Sequence, residues 1–277
     1  MINMNKKILI ALALMIFISM NTASAGLFDI AEDALQSTEN NDTTLVVGFN
    51  PIFPPFEYLT DNGSYTGFDL DLAKEVCARN NWTFEAKPLI DWNSKEFEIN
   101  SGEIDCIWSS FTIDGREDKY TFSEPYFNNT QVVVVNSNSD IKTLDDLNGK
   151  TVEVQEGSSV IDGLNNNTTL KNSLKDIVEV RDITIAFMDL KSGVCDAILV
   201  DREIANYHIN TQHPEDKVLN ESISYEKYGI GFKNGNTELR DQVQKTLDEM
   251  FKDGTVEKLA QKYSDYDIEK GLINPST

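Results

Sequence analysis

The sequence predicts an α/β protein made of two similar units, and three observations carry that expectation. Short apolar runs that suit buried strands alternate along the chain with segments of helical spacing, the mark of sheets joined by crossover connections. A short pattern, S-G-x-x-D-x-I, occurs twice, as Ser101-Gly-Glu-Ile-Asp105-Cys-Ile107 and as Ser192-Gly-Val-Cys-Asp196-Ala-Ile198. The length of 277 residues leaves room for two modest domains.

The chain begins with Lys6 and Lys7, an apolar run from Ile8 to Met20, and Ala23-Ser24-Ala25. These are the basic, apolar and small-residue zones of a secretory signal, with cleavage after Ala25. An uncleaved membrane anchor is the alternative reading, but the run is shorter than the roughly 20 residues that span a bilayer. That segment holds two lysines and no acid, so its removal takes the formal charge from -22 to -24. So acidic a chain repels nucleic acid and anionic membranes. Residues 26–43 are polar and acidic and read as a linker.

The folded body is expected from Thr44. The run Leu45–Phe49, closed off by Pro51, reads as a buried strand, and 69–79 reads as a helix with Leu70, Ala73, Val76 and Cys77 on one side. Each copy of the repeated pattern follows a helical segment and leads into an apolar strand, expected at the edge of its own unit. In open α/β sheets, ligands bind beyond the carboxyl ends of such strands. After the first copy come Ser109, Ser110, Thr112 and Arg116, and after the second comes Asp201. A free amino acid presents a carboxylate and an ammonium, and burying either without a partner is costly. The planar fork of Arg116 suits the carboxylate through two parallel charge-assisted hydrogen bonds. Asp201 suits the ammonium, with hydroxyls to take its other protons. Gln155-Glu-Gly-Ser158-Ser159 reads as a strand end, a glycine turn and a serine-opened helix whose backbone N–H groups would meet an anion. Each residue also has an ordinary reading: a surface ion pair for Arg116, helix caps for Asp201, Ser158 and Ser159, core packing for Phe53, Phe56 and Trp92.

Cys77, Cys106 and Cys195 lie in no metal-binding or redox spacing and read as core thiols, and His208 and His213 stand apart, so neither a metal nor a cofactor is expected.

Several further stretches resemble the solute-binding proteins of amino-acid ABC importers (bacterial family 3), the group with glutamine-, histidine- and cystine-binding members. They include Gly48-Phe-Asn-Pro-Ile-Phe-Pro-Pro-Phe56, Gly67-Phe-Asp-Leu-Asp-Leu-Ala-Lys74, Phe122-Ser-Glu-Pro-Tyr126, Gln155-Glu-Gly-Ser158 and Asp253-Gly-Thr-Val-Glu-Lys258. The resemblance covers about Thr44 to Asp267. It implies a type II periplasmic-binding-protein fold of two lobes, each a mixed sheet flanked by helices. The first lobe would be 44–129 with 228–270, the second 130–227, and 271–277 a tail. Crossing segments near Asn129 to Gln131 and Lys227 to Gly229 would form the hinge.

By the same resemblance, Arg116 and Thr112 with Ser158 or Ser159 hold the α-carboxylate, and Ser110 and Asp201 hold the α-ammonium. Asn50, Phe53, Phe56, Trp92 and Ser109 would line the side-chain pocket. Two departures stand out. Only Ile-Asp-Gly separates Thr112 from Arg116, with Gly115 placed to absorb the shorter spacing. Asn50 stands where members with cationic ligands place an aspartate, which favours a neutral polar side chain such as that of glutamine or cystine. The implied protein is a monomer with no enzymatic activity, exported to the periplasm or cell exterior, serving a membrane permease. An exported dehydratase or a ligand-binding sensor of the same fold are the alternatives; a lyase would need a further acid–base group, for which Glu57 is a candidate that reads better as a packing or rim residue.

Overall fold

The computed structural model describes residues 43–274. The secretory-signal reading over 1–25, all but the last residue of the linker reading, and the last three residues of the tail lie outside the described residues.

The expected first strand is β1, Thr44–Phe49. A small antiparallel meander of β2 (Ile52–Phe53), β3 (Glu57–Leu59) and β4 (Tyr65–Thr66) follows. The expected helix runs Phe68–Arg79 and leads to β5, Thr83–Pro88. Its entry needs Gly67, because a Cβ there, at φ 131°, would lie 2.1 Å from the Phe56 carbonyl oxygen. Next come the helix Lys95–Ser101, then β6 (Cys106–Ile107), β7 (Tyr120–Phe122) and the long β8 (Phe127–Asn136). β9 (Thr151–Gln155), β10 (Asp176–Val180) and β11 (Ala197–Asp201) alternate with helices Val160–Asn166, Thr168–Ser173 and Ile183–Ser192. The helix Arg202–Thr211, the long β12 (Asp216–Tyr228), β13 (Gly231–Lys233) and a helical segment from Thr237 complete the chain.

Two five-stranded sheets result, ordered β5-β1-β6-β13-β7 and β10-β9-β11-β8-β12. β8 and β12 pair antiparallel, with Tyr228 opposite Phe127, Glu226 opposite Asn129 and Ser224 opposite Gln131. Side chains two apart on a strand share a face, so Asn129, Gln131, Ser224 and Glu226 point the same way from this ribbon.

The repeated pattern has one structural meaning in both copies. Gly102 and Gly193 end their helices at φ 81° and 79°, the left-handed conformation that closes a helix with glycine. Asp105 then exchanges two bonds with the neighbouring strand: its N–H donates to the Val46 carbonyl at 2.8 Å, and its carboxylate accepts from the Val46 N–H at 2.7 Å. Asp196 does the same with Thr151, at 2.9 Å in each direction. Each aspartate therefore fixes where its strand enters beside its parallel neighbour, β1 in one sheet and β9 in the other. β6 and β11 are the middle strands, not the edges, because each is flanked by a parallel strand on one side and a returning antiparallel strand on the other.

Phe56 does not line a pocket. It is fully buried, with its ring edge-on to Phe127 at 5.2 Å, to Tyr228 at 5.6 Å and to Phe68 at 6.3 Å. The turn between β2 and β3 carries it into the aromatic core, where ring contacts and burial act together. Cys77, Cys106 and Cys195 are buried free thiols, and burial pushes Cys77 up to about 11.

His208 is also interior, stacked on Phe187 with ring centroids 4.3 Å apart and with no partner for either ring nitrogen among the described residues. Burial, and then the nearby His213, push its pKa down to about 4. A histidine held neutral in the fold contributes fully above its unfolded pKa of about 6.5, and that contribution is lost as pH falls toward the folded value. Urea unfolding of the wild type and His208→Leu at about pH 7 and about pH 4.5 should therefore show the wild type losing about 2–3 kcal/mol more than the variant on acidification; equal losses contradict a buried neutral imidazole. Phe56→Ala should cost about 3–5 kcal/mol at neutral pH in the same assay, and a loss under 1 kcal/mol contradicts its core position.

Candidate functional site

The carboxyl ends of the parallel strands in both sheets carry polar residues. Asn50 follows β1, Ser109 and Ser110 follow β6, Gln155 ends β9 and Asp201 ends β11. Together with Phe53, Trp92, Thr112, Arg116, Ser158 and Ser159 they line one pocket of about 320 Å³, part of it open to solvent. Of the site residues expected from the sequence, only Phe56 stays outside it.

Arg116 reaches the pocket through a turn in which its N–H donates to the Ile113 carbonyl at 2.9 Å, with Gly115 at φ 79°. The left-handed glycine accommodates the short spacing from Thr112. The guanidinium lies 4.9 Å over the Phe111 ring and donates weakly, at 3.4 Å, to the Thr112 carbonyl. Burial lowers its pKa, with Glu226 and Asp162 opposing that shift. Among the described residues most of its five donors are uncommitted, as a site for an anion requires.

Asp201 is the last residue of β11 and is 8% exposed. It stands at the start of the next helix without capping it. Its carboxylate accepts from the Asn129 side-chain amide at 2.5 Å. Burial, and then the Glu226 carboxylate, push its pKa up to about 7, against the Asn129 bond. A cation placed against it would favour the ionised form.

Ser110 is held at φ 46° by its N–H, which donates to Asp69 at 2.6 Å. Asp69 in turn accepts from the Tyr126 hydroxyl at 2.9 Å. The Ser110 and Ser158 hydroxyls are buried at the pocket and have no partner among the described residues. Each is a donor or acceptor in waiting, since an unpaired buried hydroxyl is costly. Ser109, by contrast, is committed: it accepts from the Asn50 N–H at 3.0 Å and donates to Glu57 at 2.6 Å. Glu57 is wholly buried behind it, not at the rim, and burial holds its pKa well above the usual carboxylate range.

Beneath the pocket, Glu226 gathers four donors. Asn129 reaches it at 2.7 Å, Thr112 at 3.0 Å, Ser159 at 3.1 Å and Gln131 at 3.1 Å. Ser159 opens the helix Val160–Asn166 without capping it, and its hydroxyl turns to this cluster. Thr112 and Ser159 also touch each other at 3.0 Å. Thr112 adjoins the first sheet and Ser159 the second, so the cleft is narrow at this point. Sequence reading named Gln155 only as a strand end and Asn129 and Gln131 only as hinge bounds, and gave Asp69 and Glu226 no part in the site. The available signal was the polar stretch Asn128 to Gln131 just before the run Val132–Val135, in which Asn129 and Gln131, two apart, share one face of the strand.

The model of the bacterial extracellular solute-binding proteins, family 3, matches residues 45–266. The L-cystine-binding protein TcyJ of Escherichia coli (strain K12) is 32% identical over 243 residues, 87% of this chain and 90% of the relative. The histidine-binding periplasmic protein of the same organism is 33% identical, covering 81% of this chain and 89% of that one. Among solved structures, a substrate-binding protein of an ABC uptake transporter from Streptococcus pneumoniae, with bound histidine, superposes with a TM-score of 0.78 at 31% identity, over 84% of this chain and 97% of that one. The fold is the two-lobed type II arrangement of these proteins, with mixed sheets flanked by helices. The chain belongs to the bacterial extracellular solute-binding proteins, family 3.

Proposed function

We propose that the chain captures a free L-amino acid in this cleft and delivers it to the membrane permease of an ABC importer. The observation that carries the reading is the pairing, in one small pocket, of an uncommitted guanidinium with a buried carboxylate. A zwitterion presents the matching charges a short distance apart, and each would replace water around its partner. Arg116 takes the α-carboxylate, with Ser158 and the hydroxyls of Thr112 and Ser159 around it. Asp201 takes the α-ammonium, with Ser110 as a second acceptor.

Asn50, Phe53, Trp92 and Ser109, joined by Gln155, receive the side chain. Asp201 is the only carboxylate among the lining residues. That composition favours a neutral polar side chain such as that of glutamine or cystine. The names of the relatives, cystine-binding and histidine-binding, support the amino-acid class.

The two sheets act as lobes, 44–129 with 228–270 and 130–227, and β8 and β12 cross between them as the hinge near 129–131 and 227–229. Ligand held by Arg116 on one side and by Asp201 and Ser158 on the other favours the closed form, because only that form makes both sets of contacts. Export through residues 1–25 brings the protein to the periplasm or cell exterior, where it acts as a monomer without nucleic-acid partners; its net charge of -22 supports the last point.

A thermal-shift screen of the refolded protein against free L-amino acids and cystine tests the reading. A true ligand at about a hundred times its Kd should raise Tm by about 5–10 °C. Arg116→Lys and Asp201→Ala should each weaken binding about 30-fold or more while the fold persists. No shift with any of these compounds contradicts the reading.

A further inference from the structure

The site holds one more acid than a zwitterion needs. In the proposed function, on which this inference rests, Arg116 answers the ligand carboxylate and Asp201 answers the ammonium. Glu226 then has no opposite charge of its own. A single amide nitrogen, Asn129 Nδ2, donates to both Asp201 and Glu226, at 2.5 and 2.7 Å, so the two carboxylates crowd around one atom. Like charges in such proximity resist joint ionisation, the more so when buried.

A second observation concerns the direction of the hydroxyl protons. Thr112 and Ser159 each own a single proton, and both stand within reach of the same oxygen, Glu226 Oε1. While they donate to an ionised Glu226, they show only lone pairs to the pocket. Lone pairs repel a ligand carboxylate. If Oε1 carries a proton instead, it donates to one of these hydroxyls, which is then free to turn its own proton toward the ligand.

We infer that Glu226 is a positioning residue: it becomes protonated when an amino acid binds, and by doing so frees one of the Thr112 and Ser159 hydroxyls to donate to the ligand carboxylate. No covalent bond other than the new O–H is made, and the proton is the one Asp201 gives up on meeting the ligand ammonium or, where Asp201 is already ionised, one from water or buffer. Every charged or titratable group around Glu226 enters the balance. Arg116 favours its ionised form, but is occupied by the ligand carboxylate. Asp201 opposes ionisation, and the Tyr228 hydroxyl lies beside both acids on the same strand as Glu226. Asp162, on the helix opened by Ser159, acts on Arg116. Burial raises the Glu226 carboxyl above its ordinary range, in agreement with the geometry.

Calorimetric titration of the best amino acid in two buffers of equal pH but different heats of ionisation counts the protons exchanged. Because a proton released by Asp201 offsets the one gained by Glu226, the comparison is between the wild type and Glu226→Gln from about pH 5 to about pH 8, and the wild type should take up more protons per ligand than the variant, by up to about one. Glu226→Gln carries a permanent amide donor in place of the acquired proton. It should bind without uptake, and with release of protons wherever Asp201 starts protonated. Equal proton exchange by the wild type and Glu226→Gln at every pH overturns the inference, and so does uptake that persists in Glu226→Gln, since the proton then sits elsewhere. The complete absence of saturable heat contradicts the proposed function itself.

Discussion

Four side chains from three stretches of chain donate to the carboxylate of Glu226, and the shape of the cleft depends on that convergence. A buried carboxylate is tolerable only when most of its lone pairs are taken. Meeting that demand draws Thr112 from the first sheet and Ser159 from the second to a single oxygen, over the β8–β12 ribbon that connects the sheets. Arg116 and Asp201 face each other across the floor so formed. The ribbon proposed as the hinge thus carries the polar groups of the cleft floor.

Each sheet delivers its binding residues by the same local device. A helix ends on a left-handed glycine, an aspartate locks onto the backbone of the neighbouring parallel strand, and a short middle strand opens into the cleft. Two bonds from one aspartate to one residue fix strand register to the nearest residue, which a one-place slip would destroy. Beyond the strand ends the two copies diverge: the first leads to Ser109, Ser110 and Arg116, the second to Asp201. Common scaffolding thus ends in complementary groups, hydroxyls and a guanidinium from one copy and a carboxylate from the other.

The α/β class, the first strand, the helix after Gly67 and most of the pocket were legible in the sequence because they rest on short-range signals. Apolar runs, a left-handed glycine and a hydroxyl cluster after a strand are all visible in a window of a few residues. Phe56 was misplaced because spacing alone cannot tell which side of the Phe53-to-Phe56 turn faces the ligand; aromatic contacts with Phe127 and Tyr228, distant in sequence, decide it. Glu226 went unseen for the same reason. It sits more than 60 residues beyond Ser159, and only the pairing of β12 with β8 brings it under the pocket. Asp69, read as part of an amphipathic helix, turns inward to hold Ser110.

A crystal structure with the strongest amino-acid ligand bound tests the orientation of charge most directly. The account predicts the α-carboxylate against the Arg116 guanidinium, the α-ammonium against Asp201, and the side chain between Phe53 and Trp92. A ligand bound the other way round, or one seated outside the cleft with Arg116 and Asp201 paired to each other, would contradict it.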